Sequence, residues 1–373
     1  MSVASPASPP AFPALEAGLR LALAGGPRAP RRALLEAGAG AFPDPELAAR
    51  LAAVPEPLLE RCQAWLACPG HHFLAWNDPR YPPLLRQCPD APVGLFVAGD
   101  PDHLWRPAVA LVGSRAASAG GRDNARGFAQ ALCRAGLAVA SGMAAGIDGA
   151  AHAAALDCGG VTVAVLGTGP DLPYPRHHAG LMERVAADGA VVSEHPPGTP
   201  PRPAHFPARN RIIAALALGT VVVEAALRSG ALITARLAAE YGREVFALPG
   251  SIHNPQARGC HRLIRDGAQL VEAPAEVLAG IASLAGRLAR ELAPPPSPAP
   301  PGPHETATGE RDDHDKLWKA LGHDPIPMDV LAERTGLTPA TLSSMLLAME
   351  LDGRVVVEHG RYARRFTGGG VAA

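Results

Sequence analysis

Apolar runs separated by helix-length segments between residues 109 and 271 restrict the possible folds of this chain more than any other feature. Residues 109–112 (VALV), 161–166 (VTVAVL) and 220–224 (TVVVE) are near-continuously apolar rather than alternating. That pattern belongs to strands of a parallel sheet covered on both faces. Strands are expected at 109–112, 137–140, 161–166, 190–193, 220–224, 244–248 and 268–271, with helices at 119–135, 147–157, 178–188, 208–218, 231–241 and 260–266. The expected class is α/β, a doubly wound parallel sheet whose ligands sit at the carboxyl ends of the strands.

Length and punctuation divide the rest. A chain of 373 residues with 47% hydrophobic content is expected to hold two or three domains. Residues 1 to about 12 are Pro/Ala/Ser-rich and read as disordered. Short helical patterns broken by Pro and Gly then run to Leu66, a helical domain over 1–70. Its Gly-containing turns leave a helix-hairpin-helix contact with a phosphate backbone open beside a packing adaptor. An irregular Pro-rich stretch with a strand at 95–98 leads into the α/β region, so 71–292 is assigned as one domain. Residues 293–312 form a Pro-rich linker. Over 313–373, helices at 313–321, 327–334 and 339–350 precede a hairpin with Gly360 at its tip, the winged-helix order. The six cysteines are scattered without a Cys-x-x-Cys, reading as reduced thiols of a cytoplasmic protein. No signal peptide and no apolar span of membrane length is seen.

A formal net charge of -1 supplies no global field for a polyanion, so one would have to be held by a local cluster. Such a cluster exists. No Asp or Glu occurs from His195 to Val223, while Arg202, His205, Arg209 and Arg211 fall close together. Arg209-Asn210-Arg211 places guanidiniums and an amide at a helix start, with Phe206 before them for a base to stack on. Core packing of Phe206, and a salt bridge from Arg209 or Arg211 to Glu194 or Glu224, remain open. Ser229-Gly230 to Thr234 opens another helix N-terminus, with Ser229 as cap and phosphate donor.

Gly113-Ser114-Arg115 ends the first strand of the α/β run and turns N–H groups toward an anion, with Arg115 as clamp or the triplet as a simple tight turn. A dinucleotide is disfavoured: Gly-x-Gly-x-x-Gly is missing, and Ser141-Gly142 stands where a ribose-binding acid belongs. Asp148 and His152 have the spacing of a metal pair but lack a third ligand, so a helix cap and a local hydrogen bond are expected instead. No nucleophile, base and orienting group assemble from the sequence. Glu224 is a candidate acid/base group without a partner.

The run from Val109 to Val271 resembles the DNA-processing protein A family (DprA, also called Smf). The resemblance is carried by GSR at 113–115, SGMAAGIDGAAHAAAL at 141–156, LGTGPDLPYP at 166–175, SEHPPGTPP at 193–201 and FPARNRIIAAL at 206–216, continued by 221–250 and GCHRLIRDGA at 259–268. It implies an extended Rossmann-like fold that binds single-stranded DNA without sequence preference. It also implies a homodimer, transfer of the strand to the RecA recombinase during natural transformation, and no enzymatic turnover. Arg115, Phe206, Arg209 and Arg211 would line the strand-binding pocket, with Arg202 a looser match. His178 and His261 stand where the family usually has Asn.

Two other classes compete. A nucleoside monophosphate hydrolase would need a Pro-Gly-Gly-x-Gly-Thr loop, which Leu227-Arg228-Ser229-Gly230-Ala231 does not supply. A transcription regulator would need a basic recognition helix, but TPATLSSMLLAME has no Arg or Lys. The hairpin arginines Arg354, Arg361, Arg364 and Arg365 suit backbone contact or partner docking. No cofactor and no metal are expected.

Overall fold

The computed structural model describes residues 14–38, 43–292, 316–321, 326–351, 355–358 and 361–364. The expected disordered start, the linker, Gly360, Arg354 and Arg365 lie outside them. The chain forms two compact units, Met1–Ala293 and Pro294–Ala373.

The first unit begins with four helices, α1 (Ala14–Leu23), α2 (Arg28–Ala37), α3 (Pro45–Ala52) and α4 (Glu56–Leu66). They lead to β1 (His71–Ala75), α5 (Pro83–Arg86) and β2 (Gly94–Gly99). The α/β run follows as β3 (Ala108–Val112), α6 (Ala119–Arg134), β4 (Ala138–Ser141), α7 (Ile147–Asp157), β5 (Thr162–Leu166), α8 (Ala179–Asp188) and β6 (Ala190–Ser193). It continues with α9 (His205–Leu216), β7 (Gly219–Val222), α10 (Ala231–Glu240), β8 (Glu244–Ala247), α11 (Arg258–Arg265), β9 (Gln269–Leu270) and α12 (Pro274–Leu292).

These strands make one sheet in the order β1-β2-β6-β5-β4-β3-β7-β8-β9. From β6 to β9 all neighbours are parallel, whereas β2 runs antiparallel to both β1 and β6. The wholly parallel expectation is therefore corrected to a mixed sheet with a hairpin on one edge, consistent with a Rossmann-like fold. β1 was not expected, because HHFLA is short and half-polar and becomes a strand by pairing with β2.

Continuous apolarity has the anticipated cause. Val109 and Leu111 join one core with Phe128, Leu132, Val139 and Ile147, while Ala110 and Val112 join the opposite core with Val163, Val165, Ile212 and Ile213. Strand side chains alternate between faces, so a strand covered by helices on both sides must be apolar at every position. The N-terminal helices share a further cluster with the sheet edge, in which Leu19, Val54, Leu59 and Cys62 pack on Phe73 and Phe96. The helices and the sheet edge thus belong to one compact unit.

The order of strands reverses at β3: β4, β5 and β6 lie on one side, and β7, β8 and β9 on the other. Loops on either side of such a switch point diverge and leave a crevice at the carboxyl ends. α9 begins at His205, three residues before the expected start at 208, with Pro207 in its first turn, where a missing N–H costs nothing.

The second unit contains helical residues 316–320, β10 (Ile326–Pro327), α13 (Met328–Thr335), α14 (Pro339–Leu351), β11 (Val355–Glu358) and β12 (Arg361–Arg364). The strands pair in the order β10-β12-β11. Leu317, Leu331, Leu342, Leu346 and Val355 form its core. Gly336 ends α13 at φ 69, a left-handed cap that a side chain would strain. Helices followed by a hairpin give a winged-helix-like unit. Arg364 lies over the Trp318 ring at 4.6 Å and donates to the Trp318 carbonyl, so this hairpin arginine is held by its own unit.

Candidate nucleic-acid interface

A groove of about 690 Å³ opens at the switch point, between the loops after β3, β4 and β7 and the starts of α9 and α10. Eight of the ten expected site residues line it: Ser114, Arg115, Phe206, Arg209, Asn210, Ser229, Gly230 and Thr234. Arg202 is exposed beside the lining residue Pro203, and Arg211 is turned elsewhere.

The pitch of α9 explains this sorting. Phe206, Arg209, Asn210 and Ile213 all face the groove, at the i, i+3, i+4, i+7 spacing of one helical face. Arg211 is two residues from Arg209 and cannot share that face. Its Nη2 donates to both oxygens of Glu194 at 2.7 Å, its Nε donates to the Asp90 carbonyl at 3.0 Å, and the residue is 5% exposed. Burial raises the Glu194 carboxyl, but Arg211 and Arg28 together hold it below its ordinary 4.5. The expected strand contact by Arg211 is corrected to an internal ion pair, one of the two roles that the sequence left open.

Arg209 lines the groove floor but offers no exposed clamp. It is buried, and its Nη1 donates to the carbonyls of Gly142, at 2.6 Å, and Val165. Its Nε has no hydrogen-bond partner. Burial lowers its pKa to about 10, against the pull of the Asp148 charge. The guanidinium ties α9 to the carboxyl ends of β4 and β5, and so fixes Phe206 one turn earlier. A Cβ on Gly142 would lie 2.6 Å from Arg209 Nη2, so any larger residue there must push the guanidinium aside.

Phe206 is half-buried rather than enclosed. The Arg115 guanidinium carbon stands 5.4 Å from its ring centroid, and the exposed Tyr174 ring lies 5.0 Å away. Arg115 and Arg228 are exposed along the groove, and Asn210 donates to the Gly230 carbonyl at 3.2 Å, joining α9 to the start of α10. Ser229 Oγ accepts from the Ala231 N–H at 3.3 Å, while Thr234 is buried at the groove wall. Tyr174 and Arg228 were not among the expected residues. The available signal was their position: each follows a parallel strand, on the edge where ligands bind.

The N-terminus of α6 is already occupied. Ser118 Oγ caps it by accepting from the Gly121 N–H at 2.9 Å, and the Glu224 carboxylate accepts from Ser118 N–H at 2.9 Å and Ser118 Oγ at 2.6 Å. Asn254 donates to the same carboxylate at 3.3 Å. The anion that the Gly113-Ser114-Arg115 turn was expected to attract at this helix start is thus an internal one. Glu224 serves as a cap held by several donors. Ser114 Oγ accepts from the Ala116 N–H at 3.1 Å and shapes the turn that presents Arg115.

His152 has the local role expected of it, whereas Asp148 is no helix cap: the N-cap of α7 is Gly146, without a side-chain cap, and Asp148 braces the turn before the helix. The Asp148 carboxylate accepts from Gly142 N–H at 3.1 Å and Ala144 N–H at 3.4 Å, and burial raises its pKa from the ordinary 3.8. His152 Nε2 accepts from Met143 N–H at 3.3 Å, which leaves Nδ1–H to donate to Thr162 Oγ1 at 2.7 Å. His178 Nδ1 donates to the Met143 carbonyl at 2.9 Å, and His261 Nε2 meets the Gly250 carbonyl at 3.0 Å. Among the described residues no group of three or more His, Cys, Asp or Glu side chains is arranged to hold a metal ion. The six cysteines are free, and no described helix is long and apolar enough to cross a membrane.

Burial lowers the pKa of His152 to about 3 and of His195 to about 4, from an ordinary 6.5. Both are neutral when folded and take up protons on unfolding below 6.5, so stability falls as pH drops from 6.5 toward those values. Melting temperatures measured across this window are expected to decline, and to decline less steeply for His152→Gln. An identical slope would contradict the assignment of His152 as a buried neutral acceptor.

The chain is similar to known proteins over most of its length. A family model described as DNA recombination-mediator protein A matches residues 72–282, and one described as the DprA winged helix domain matches residues 293–361. Protein Smf of Escherichia coli (strain K12) is 42% identical over 318 residues, covering 85% of this chain and 83% of that protein. The structure of DNA processing protein A (DprA) from Streptococcus pneumoniae aligns with a TM-score of 0.59 at 43% identity, over 64% of this chain and 83% of that one. The protein of the same name from Helicobacter pylori, described for its single-stranded DNA binding mode, aligns with a TM-score of 0.50 at 28% identity, over 56% of this chain and 94% of that one.

Proposed function

This chain belongs to the DNA recombination-mediator protein A family, and from that premise we propose that it binds single-stranded DNA without sequence preference as a recombination mediator. The observation that carries the reading is the half-buried Phe206 ring, with Arg115 at 5.4 Å and Tyr174 at 5.0 Å, in a groove that also exposes Arg228. Every base has a π-face, so a ring among guanidiniums grips a strand whatever its sequence. The entering base takes the Phe206 face, and Arg115 turns from the ring to the neighbouring phosphate. A duplex keeps its bases stacked and has none to offer.

The finer reading has the chain protect incoming strands and load the RecA recombinase during natural transformation, as a cytoplasmic homodimer without catalytic turnover. Its parts are the helical 1–70 segment, the Rossmann-like 71–292, the linker 293–312 and the winged helix 313–373. Ser114, Arg115, Phe206, Asn210, Ser229, Gly230 and Thr234 form the strand site, Arg202 and Arg228 extend it, and Arg209 supports it from below.

Fluorescence anisotropy with single- and double-stranded oligonucleotides tests the proposal. The single strand is expected to bind more tightly, and Phe206→Ala to weaken it by about 1–3 kcal/mol. Unchanged affinity with a lowered melting temperature would make the ring a packing residue and remove the basis of the reading.

A further inference from the structure

The groove does not end the recognition surface on the β8 side of the sheet. The segments 225–239 and 245–265 contain no Asp or Glu. They form the loops after β7 and β8 together with the helices that follow, and hydrogen bonds join the two loops. Ala225 N–H donates to the Gln256 carbonyl at 2.6 Å, Gly259 N–H to the Ala225 carbonyl at 2.7 Å, and Asn254 Nδ2 to Glu224 at 3.3 Å. Gln256 itself lines the groove. Arg258, two residues on, opens α11 and is exposed, without an ion pair or hydrogen bond among the described residues. Arg236 and Arg262 nearby are different, being paired with Glu240 and Asp266.

Two of the six large apolar side chains exposed among the described residues lie on the same loops. Ile252 is 72% exposed and Leu227 49%, although each loop is short and tied down. A folded chain gains by covering such side chains. Exposed aliphatic groups interleaved with unpaired guanidiniums suit a ligand that alternates flat apolar faces with anionic links. Single-stranded nucleic acid has that chemistry.

We infer that the strand leaving the groove continues over the β7 and β8 loops, with a phosphate on Arg258 and a base against Ile252. Adjacent strands of a sheet lie about 4.8 Å apart, so the track runs about 10 Å past β3. A short oligonucleotide fills the groove alone; a long one also reaches Arg258. The inference rests on the groove binding single strands, and its test separates the two.

Full-length chain is titrated with oligothymidylates of about 5 and about 20 nucleotides, as wild type and as the surface variant Arg258→Ala/Ile252→Ala. The variant is expected to bind the longer probe about 5- to 10-fold more weakly, with the log-log salt slope shallower by about 0.7, and to bind the shorter probe as wild type does. Wild-type affinity of the variant for the longer probe overturns the track and leaves the groove standing. Wild type that fails to bind either length overturns the groove reading, and the track with it.

Discussion

Replacing Arg211 with Ala is expected to lower the unfolding free energy by about 3 kcal/mol while leaving the salt dependence of strand binding unchanged. The side chain is 6% exposed and donates to Glu194, whose own side chain is 20% exposed. Asp90 Oδ2 lies 3.3 Å from its Nε. Truncation leaves Glu194 largely out of water with Arg28 as its remaining cation, 3.0 Å away. Breaking a buried pair from one side costs about 3–5 kcal/mol, and the presence of Arg28 argues for the lower end. Urea denaturation gives the stability change, and an unaltered m-value identifies it as a true loss of native-state energy. A variant as stable as wild type, but with a shallower salt slope, would return Arg211 to the strand contacts.

Arg209→Ala is expected to lose both stability and affinity. Removing the guanidinium strands the Gly142 and Val165 carbonyls, which it holds inside the fold, and takes the opposing charge from buried Asp148. Each unsatisfied buried group costs about 1–3 kcal/mol, so a total of about 3 kcal/mol is expected. Affinity falls because Phe206, three residues earlier on the same helical face, loses the anchor that fixes its turn. The salt slope stays as in wild type, since no exposed cation is removed. Gly142→Ala gives the same pair of effects without changing charge, because the added methyl displaces the guanidinium. A slope reduced by about 0.7 in Arg209→Ala would instead place a phosphate on this side chain.

These two arginines also mark how far the sequence was readable. Both-face burial of the central strands follows from the unbroken apolar runs, and the groove's place follows from strand order at β3. Grouping Arg209 with Arg211 fails on helical pitch: both lie inside the expected helix 208–218, where residues two apart sit about 200° apart round the axis. With α9 starting at His205, Phe206 joins the same helix, and only Arg209 can accompany it. Glu224 was out of reach for another reason: its role depends on Ser118, which is 106 positions away in the chain. Tyr174 and Arg228 were visible as residues following strands but carried no local motif. β1 could not be identified locally, since a short half-polar stretch becomes a strand only when β2 is there to pair with it.

The central claim is that exposed guanidiniums around Phe206 neutralise phosphates while the arginines of α9 hold the fold. Arg115 and Arg228 line the groove and Arg202 stands beside it. These three replace the trio of Arg115, Arg209 and Arg211 that the sequence suggested. The direct measurement is the salt dependence of single-strand affinity for wild type and Arg115→Ala. With an oligonucleotide of about 5 nucleotides, too short to reach Arg258, a log-log slope of about -2 is expected for wild type, from roughly -0.7 per phosphate contact, and a slope near -1.4 for the variant. A wild-type slope near zero, or one that Arg115→Ala leaves untouched, would contradict the claim.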